Sequence, residues 1–139
     1  MHLFDTDTLR FWDSGHPRVL QRLREVADPE VGTTIITKIE MLQGRFDFLL
    51  KASNPAELLR AQELLRRTEV FLDRLLVVPI DQRAAALFEH LRTVKGLGRI
   101  GRADLLIACI TLAHDATLVT RNLRHFRRVP NLQLSNWVD

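Results

Sequence analysis

Three acidic positions in this chain can do chemistry together. Asp5 follows the apolar pair Leu3-Phe4 directly, with Asp7 two residues on. An acid there sits at the C-terminal end of an opening strand, where open α/β sheets place their ligand crevice. Glu40 lies soon after a second β-branched run, and Asp104 opens a long apolar segment. In a parallel sheet, strand C-ends and the N-ends of following helices share one edge, so Asp5, Glu40 and Asp104 are expected to converge. Carboxylates that close repel one another and raise each other's pKa. A divalent cation relieves that cost, and hard oxygen ligands select Mg²⁺ or Mn²⁺. Such an ion activates water and neutralises charge on a phosphoryl oxygen. Each acid also has a plainer reading. Glu40 stands three residues after Thr37, the spacing of a helix capping box. Asp104 suits the positive end of a helix dipole. Asp5 has few structural uses at the end of a buried strand.

The elements that must hold these acids can be read from the pattern. His2 to Asp5 is a strand, and the helix after it breaks at Ser14-Gly15-His16-Pro17. Pro17 suits the first position of a helix, with Arg18 to Ala27 amphipathic through Val19, Leu20, Leu23 and Val26. Val31 to Ile36 reads as a strand, and Thr37 is expected to cap the next helix. Pro55 starts a helix to about Arg74, with Leu58, Ala61, Leu65, Leu72 and Leu75 as its apolar face. Leu76 to Ile80 is a strand, and Asp81 caps a helix carrying Ala84, Leu87, Phe88, Leu91 and Val94. Gly96 to Gly101 is a loop. Arg102 to His114 is apolar nearly all round and therefore central. Thr117 to Val119, a short basic helix and a strand at Leu132 to Leu134 finish the chain. Alternating strands and helices predict one domain, 1–139, of α/β class: a three-layer α/β/α sandwich around a mainly parallel sheet of four or five strands.

Composition sets outer bounds. The chain has 139 residues, 46% hydrophobic and 27% charged, which suits a globular protein. No apolar run reaches the roughly 18 residues of a membrane span. Acids within the first seven residues argue against a secretory leader, so the expected location is cytoplasmic. Cys109 sits in an apolar run and reads as a small core residue. The net charge is +3, and only Lys38, Lys51 and Lys95 are lysines. Arg121, Arg124, Arg127 and Arg128 fall in one acid-free octet. Arginine forks match phosphate geometry, so a polyanion is a plausible partner; a solvated basic face is the plainer alternative.

The ordered set of motifs resembles the PIN-domain ribonucleases, above all the VapC-type toxins of toxin–antitoxin pairs. Leu3-Phe4-Asp5-Thr6-Asp7 is similar to the family's first acid segment, and Thr37-Lys38-Ile39-Glu40 with Gly44 to its Thr-x-x-Glu. Ile100 to Ala108 is similar to the third, and Leu118-Val119-Thr120-Arg121-Asn122 with Phe126 to its closing motif. Val129-Pro130-Asn131-Leu132 and Trp137 resemble its tail. The resemblance implies a PIN-like fold and a metal-dependent endoribonuclease cleaving RNA by metal-activated water. It also implies a homodimer held inactive by a VapB-type antitoxin. It assigns catalysis to Asp5, Glu40, Asp104 and Asn122, with the metal, Mg²⁺ or Mn²⁺, on the three acids. Thr6, Asp7 and Thr120 would support the site, Asp7 alternatively capping the first helix. Arg102, Arg121, Arg124, Arg127 and Arg128 would contact RNA or the antitoxin. The chain departs from the commoner pattern at Asn122, where many relatives have a fourth acid, and at His125, where some have another. His125 reads as a partly exposed structural residue or a phosphate contact.

Three other readings compete. A degenerate PIN module would bind RNA or a protein without cutting, though retaining three mutually repelling acids argues against it. Asp5-Thr6-Asp7 also opens haloacid-dehalogenase-type phosphatases, but Leu9 stands where those have Thr or Val, and a supporting Lys and late acid pair are not evident. A receiver domain would need a phospho-acceptor near Asp81, where Pro79-Ile80-Asp81 is a poor match.

Overall fold

Alternation within the first strand explains why it lies at the centre of the sheet. Leu3 and Phe4 are both fully buried, and successive strand residues face opposite sides, so one packs into each helical layer. The computed structural model describes residues 1–139. Its strands are β1 (His2–Phe4), β2 (Val31–Thr34), β3 (Leu76–Val78), β4 (Thr117–Val119) and β5 (Gln133–Ser135). All neighbours pair in parallel, in the order β3-β2-β1-β4-β5. The helices are α1 (Thr6–Asp13), α2 (Pro17–Glu25), α3 (Ile35–Lys51), α4 (Pro55–Asp73), α5 (Gln82–Leu91), α6 (Arg102–Ala113) and α7 (Leu123–Phe126). This is the expected α/β/α sandwich.

Phe4 joins Leu9, Val19, Met41, Leu72 and Trp137 on one face. Leu3 joins Ile110 and Ala113 of α6 on the other. Helix α6 is the most buried helix, with Leu105, Ile107, Ala108, Cys109 and Ile110 all inside. Burial pushes the Cys109 thiol up to about 11, so it is an inert core group. Gly32 in β2 is required by close approach: a Cβ there would lie 2.0 Å from the Leu76 carbonyl oxygen of β3.

Several local expectations are corrected. Helix α3 begins two residues before Thr37, because the Thr34 side chain accepts from the Thr37 N–H. Thr34 is therefore the cap, β2 ends there, and Glu40 is not half of a capping box. The cap of α1 is Asp5, accepting from the Thr8 N–H, which removes Asp7 from that role. The last strand lies one residue later than expected, β2 and β3 each stop two residues short, and α2 ends at Glu25. Leu58 is 46% exposed, so the inner face of α4 is Ala61, Thr68 and Leu72. Pro55 and Asp81 act as expected, as first helical residue and as cap.

Candidate active site

The strand order reverses between β1 and β4, and in open α/β sheets ligands bind outside the strand C-ends at that point. Asp5 follows β1 and Thr120 follows β4. The two side chains meet there: the Thr120 hydroxyl donates to Asp5 Oδ2 at 2.6 Å. Asp5 Oδ1 accepts from the Thr8 N–H at 2.9 Å, and the Asp5 N–H donates to the Val119 carbonyl at 3.0 Å. Asp5 is 8% exposed. Burial raises its pKa above the ordinary carboxylate range, and the Asp7 charge adds to this. The hydrogen bonds from Thr120 and Thr8 oppose the rise without cancelling it. Asp5 has no cationic partner, so its charge is costly in the free protein.

The other acids arrive from separate elements. Glu40 lies in the second turn of α3, and its Oε1 accepts from the Thr6 hydroxyl at 2.6 Å. The same hydroxyl lies 3.2 Å from Thr37 Oγ1. Asp104 is in the first turn of α6, and its Oδ2 is 3.0 Å from His125 Nε2. Glu40 Oε2 and Asp104 Oδ1 are left without protein partners. Asn122 precedes α7, and its backbone N–H donates to Thr120 Oγ1 at 3.0 Å, while its amide makes no capping bond. Thr120 therefore ties Asp5 to Asn122 from a fully buried position.

Asp5, Thr6, Glu40, Asp104 and Asn122 line one cleft of about 360 Å³, together with Asp7 and Phe126. The joint placement expected of the acids is what the fold produces. Asp7 stands at its rim, with a 79% exposed side chain paired to Arg10 at 3.2 Å. Sequence reasoning missed Arg10, Gln43 and Asp47, which also line the cleft. The signal was available: Glu40, Gln43, Gly44 and Asp47 follow helical i, i+3, i+4, i+7 spacing and share one face of α3. The cleft adjoins a groove of about 1110 Å³ between α1, α3 and α4. That groove carries Arg10, Arg45, Arg67 and Arg121 against Asp5, Asp7, Asp13 and Asp139.

The arginines divide. Arg121 is committed to Asp139 through Nε and a terminal nitrogen at 3.2 and 3.1 Å, with its guanidinium over the Phe11 ring. Arg102 lies over the Phe88 ring at 4.9 Å. Arg124, Arg127 and Arg128 are exposed and form no ion pair. His125 contacts Asp104 and the Phe126 ring, a specific role in the site that its sequence context did not suggest.

No three acidic, imidazole or thiol side chains stand close enough as placed to cage an ion alone. The donor set still fits a hard cation. It is all oxygen, it includes a buried carboxylate lacking a counter-charge, and two carboxylate oxygens face no protein partner. Mg²⁺ commonly takes one or two carboxylates and fills the rest of its shell with water.

A parallel sheet ordered 3-2-1-4-5, with acids gathered at its switch point, defines an α/β protein with an acidic cleft at the C-terminal edge of its sheet. The PIN domain family matches residues 4–132, and the chain belongs to it. Among curated relatives, Ribonuclease VapC2 of Rickettsia felis is 43% identical over 74 residues, covering 51% of this chain and 54% of that protein. Ribonuclease VapC1 of Haemophilus influenzae is 28% identical over 99% of this chain and 98% of its own length. Among solved structures, VapBC-1 from nontypeable Haemophilus influenzae superposes with a TM-score of 0.80 at 25% identity, covering 99% of this chain and 98% of that one. VapBC2 from Rickettsia felis, bound to a DNA fragment from its promoter, gives 0.77 at 27% identity over 98% of each chain.

Proposed function

We propose that this chain is a Mg²⁺- or Mn²⁺-dependent endoribonuclease and the toxin of a toxin–antitoxin pair, acting as one PIN unit over residues 1–139. The convergence of Asp5, Glu40, Asp104 and Asn122 in one cleft carries the reading. The names of the VapC relatives and the VapBC complexes support it. Asp5, Glu40 and Asp104 would hold the cation, which, when bound, acidifies water and neutralises charge on the scissile phosphate.

The chain's own residues prepare that site. The Thr8 N–H and Thr120 hydroxyl fix both oxygens of Asp5, so its carboxylate is positioned before any ligand arrives. Thr6 orients Glu40 and His125 orients Asp104, each by one oxygen, leaving the other free. Asn122 offers a neutral amide whose oxygen can accept from a water. In the reaction the water oxygen bonds to phosphorus, the bond to the 3′ oxygen breaks, and that oxygen takes up a proton. The products are a 5′-phosphate and a 3′-hydroxyl.

A VapB-type antitoxin and a second copy of the chain are the proposed protein partners. The VapBC complexes among the similar solved structures support this reading. No helix is long and apolar enough to cross a membrane.

The test is product analysis with purified protein and RNA. Cleavage should need Mg²⁺ or Mn²⁺ and leave 5′-phosphates. Asp104→Asn should fold normally and not cut. Cleavage in chelator, cyclic-phosphate ends, or an Asp104→Asn variant as fast as the parent would refute the assignment. Metal-independent RNA binding without cleavage would favour a binding module instead.

A further inference from the structure

Charge is distributed unevenly around the cleft. On the α1–α3–α4 side, four arginines face four aspartates in the adjoining groove. Arg10 is paired with Asp7 and Arg121 with Asp139, so that side is nearly neutral. On the α6–α7 side the balance is lost. No acid occurs between Glu89 and Asp104, nor between Asp115 and Asp139. The fold brings parts of these two stretches together. Leu97 and Ile100 before α6 share a core cluster with Phe126 and Val129 around α7. The contact of Asp104 with His125 joins them again at the cleft edge.

That packing turns the apolar residues of both stretches inward and leaves their cations outside. Lys95, Arg99, Arg102, Arg124, Arg127 and Arg128 are all exposed. None of the six forms an ion pair, and neither stretch holds an acid to offset them; unpaired arginines elsewhere, such as Arg24 and Arg60, stand on helices that also carry Glu25, Glu57 and Glu63. Arg102 is held over Phe88, which fixes one cation beside the first turn of α6, two residues from Asp104. The patch borders Asp104, Asn122 and Phe126, which line the cleft itself.

We propose that this cationic surface, formed by the 95–102 loop and the α7 segment, binds the phosphodiester backbone of single-stranded RNA. It thereby sets the side from which the strand enters the cleft. The inference rests on the ribonuclease reading. The cleft itself is acidic through Asp5, Glu40, Asp47 and Asp104, its one arginine, Arg10, being paired with Asp7, so it repels a polyanion. An uncompensated patch on one flank supplies the attraction that the cleft lacks, and arginine forks suit phosphate oxygens. The balanced charges of the other groove offer no such net attraction. Of the arginines expected to form a patch, Arg121 is excluded by Asp139. Lys95 and Arg99, whose neighbourhood reads only as a glycine-rich loop, are added.

The test measures binding of a short, unstructured, fluorescent RNA in chelator over a salt series, so that no cleavage intervenes. For single strands, each phosphate contact contributes about −0.7 to the slope of log affinity against log salt. Arg127→Ala with Arg128→Ala, and separately Lys95→Ala with Arg99→Ala, should each flatten the slope by about 1.4. Arg24→Ala with Arg60→Ala removes the same charge from α2 and α4 and should leave the slope unchanged. With metal added, the patch variants should raise KM roughly tenfold and leave kcat near the parental value, the pattern of lost ground-state binding. Equal slopes in parent and patch variants, or an equal drop in the α2–α4 control, would overturn the proposal. Parental RNA binding combined with lost antitoxin binding would also overturn it, reassigning the surface to the protein partner. If the parent cuts RNA and the patch variants match it throughout, only this proposal falls. If the parent does not cut RNA with either metal, the ribonuclease reading falls.

Discussion

Thr120→Val isolates the hydrogen-bond pair that organises the site. Valine has nearly the same shape, so packing in this fully buried position is preserved while the hydroxyl is lost. Two contacts disappear: the 2.6 Å bond to Asp5 Oδ2 and the 3.0 Å bond from the Asn122 N–H. A bond to a charged group contributes about 1.5–3 kcal/mol and a neutral one about 1 kcal/mol. The Asn122 N–H is only part-buried and recovers water, so the expected loss is about 3 kcal/mol at neutral pH. For a chain of this length that lowers Tm by roughly 10 °C. Thr120→Ser keeps the hydroxyl and should stay within about 1 kcal/mol of the parent. The pH dependence has a definite sign. Burial already raises the Asp5 pKa, and losing the Thr120 donor raises it further. A carboxylate whose folded pKa lies above its unfolded value is destabilising once pH exceeds the unfolded value, and fully so above the folded one. The Thr120→Val deficit should therefore be largest at neutral pH and shrink on acidification, as Asp5 becomes protonated in the folded state. Thermal unfolding by circular dichroism in chelator measures it. Repeating the melts in Mg²⁺ should narrow the gap, because a cation at Asp5 replaces the lost partner of Oδ2 and stabilises the folded state by mass action. A Thr120→Val melt within 1 °C of the parent in chelator at neutral pH would refute the view that this hydroxyl carries the buried charge.

Other perturbations probe neighbouring parts. Asn122→Asp adds a carboxylate to the cleft at nearly constant volume; Mg²⁺ binding, followed by titration calorimetry, should tighten while the metal-free protein melts slightly lower. His125→Ala removes the group that orients Asp104, and Mn²⁺ affinity measured by electron paramagnetic resonance should fall about tenfold, with His125→Gln recovering part of it. Gly32→Ala places a Cβ 2.0 Å from the Leu76 carbonyl oxygen, so β2 and β3 must part; denaturant unfolding should show a loss of about 2 kcal/mol or more.

The failures of local reading have a common cause. Thr37 and Glu40 satisfy capping-box spacing, yet Thr34 takes the cap, because two residues of the β-branched run Val31 to Ile36 join the helix. Propensity favours a strand through Ile36, and packing of α3 on the sheet overrides it. Sequence position alone offers Asp5 few structural uses, yet it caps α1 while also lying in the cleft. Asp7 has the better helix-dipole position and points to solvent instead.

Much of the protein is nonetheless written locally. Period-two and period-3.6 patterning, with Pro17, Pro55 and Asp81 as punctuation, determines the order and type of the elements. Parallel pairing then obliges acids that follow strands to share one edge, so Asp5, Glu40 and Asp104 could be named from the chain alone. Their partners could not. Thr120 reaches Asp5 across 115 positions, Thr6 reaches Glu40 across 34, and His125 reaches Asp104 across 21. Hydrogen bonds of this kind depend on ångström distances and directions that arise only when β1, β4, α3 and α6 pack against one another. The same holds for charge. The sequence lists arginines, but only packing decides that Arg121 is neutralised by Asp139 while Arg124, Arg127 and Arg128 stay free beside the cleft. Periodicity is a property of neighbours along the chain, whereas the state of a buried carboxylate or an exposed cation is set by whatever the fold brings within a few ångströms of it.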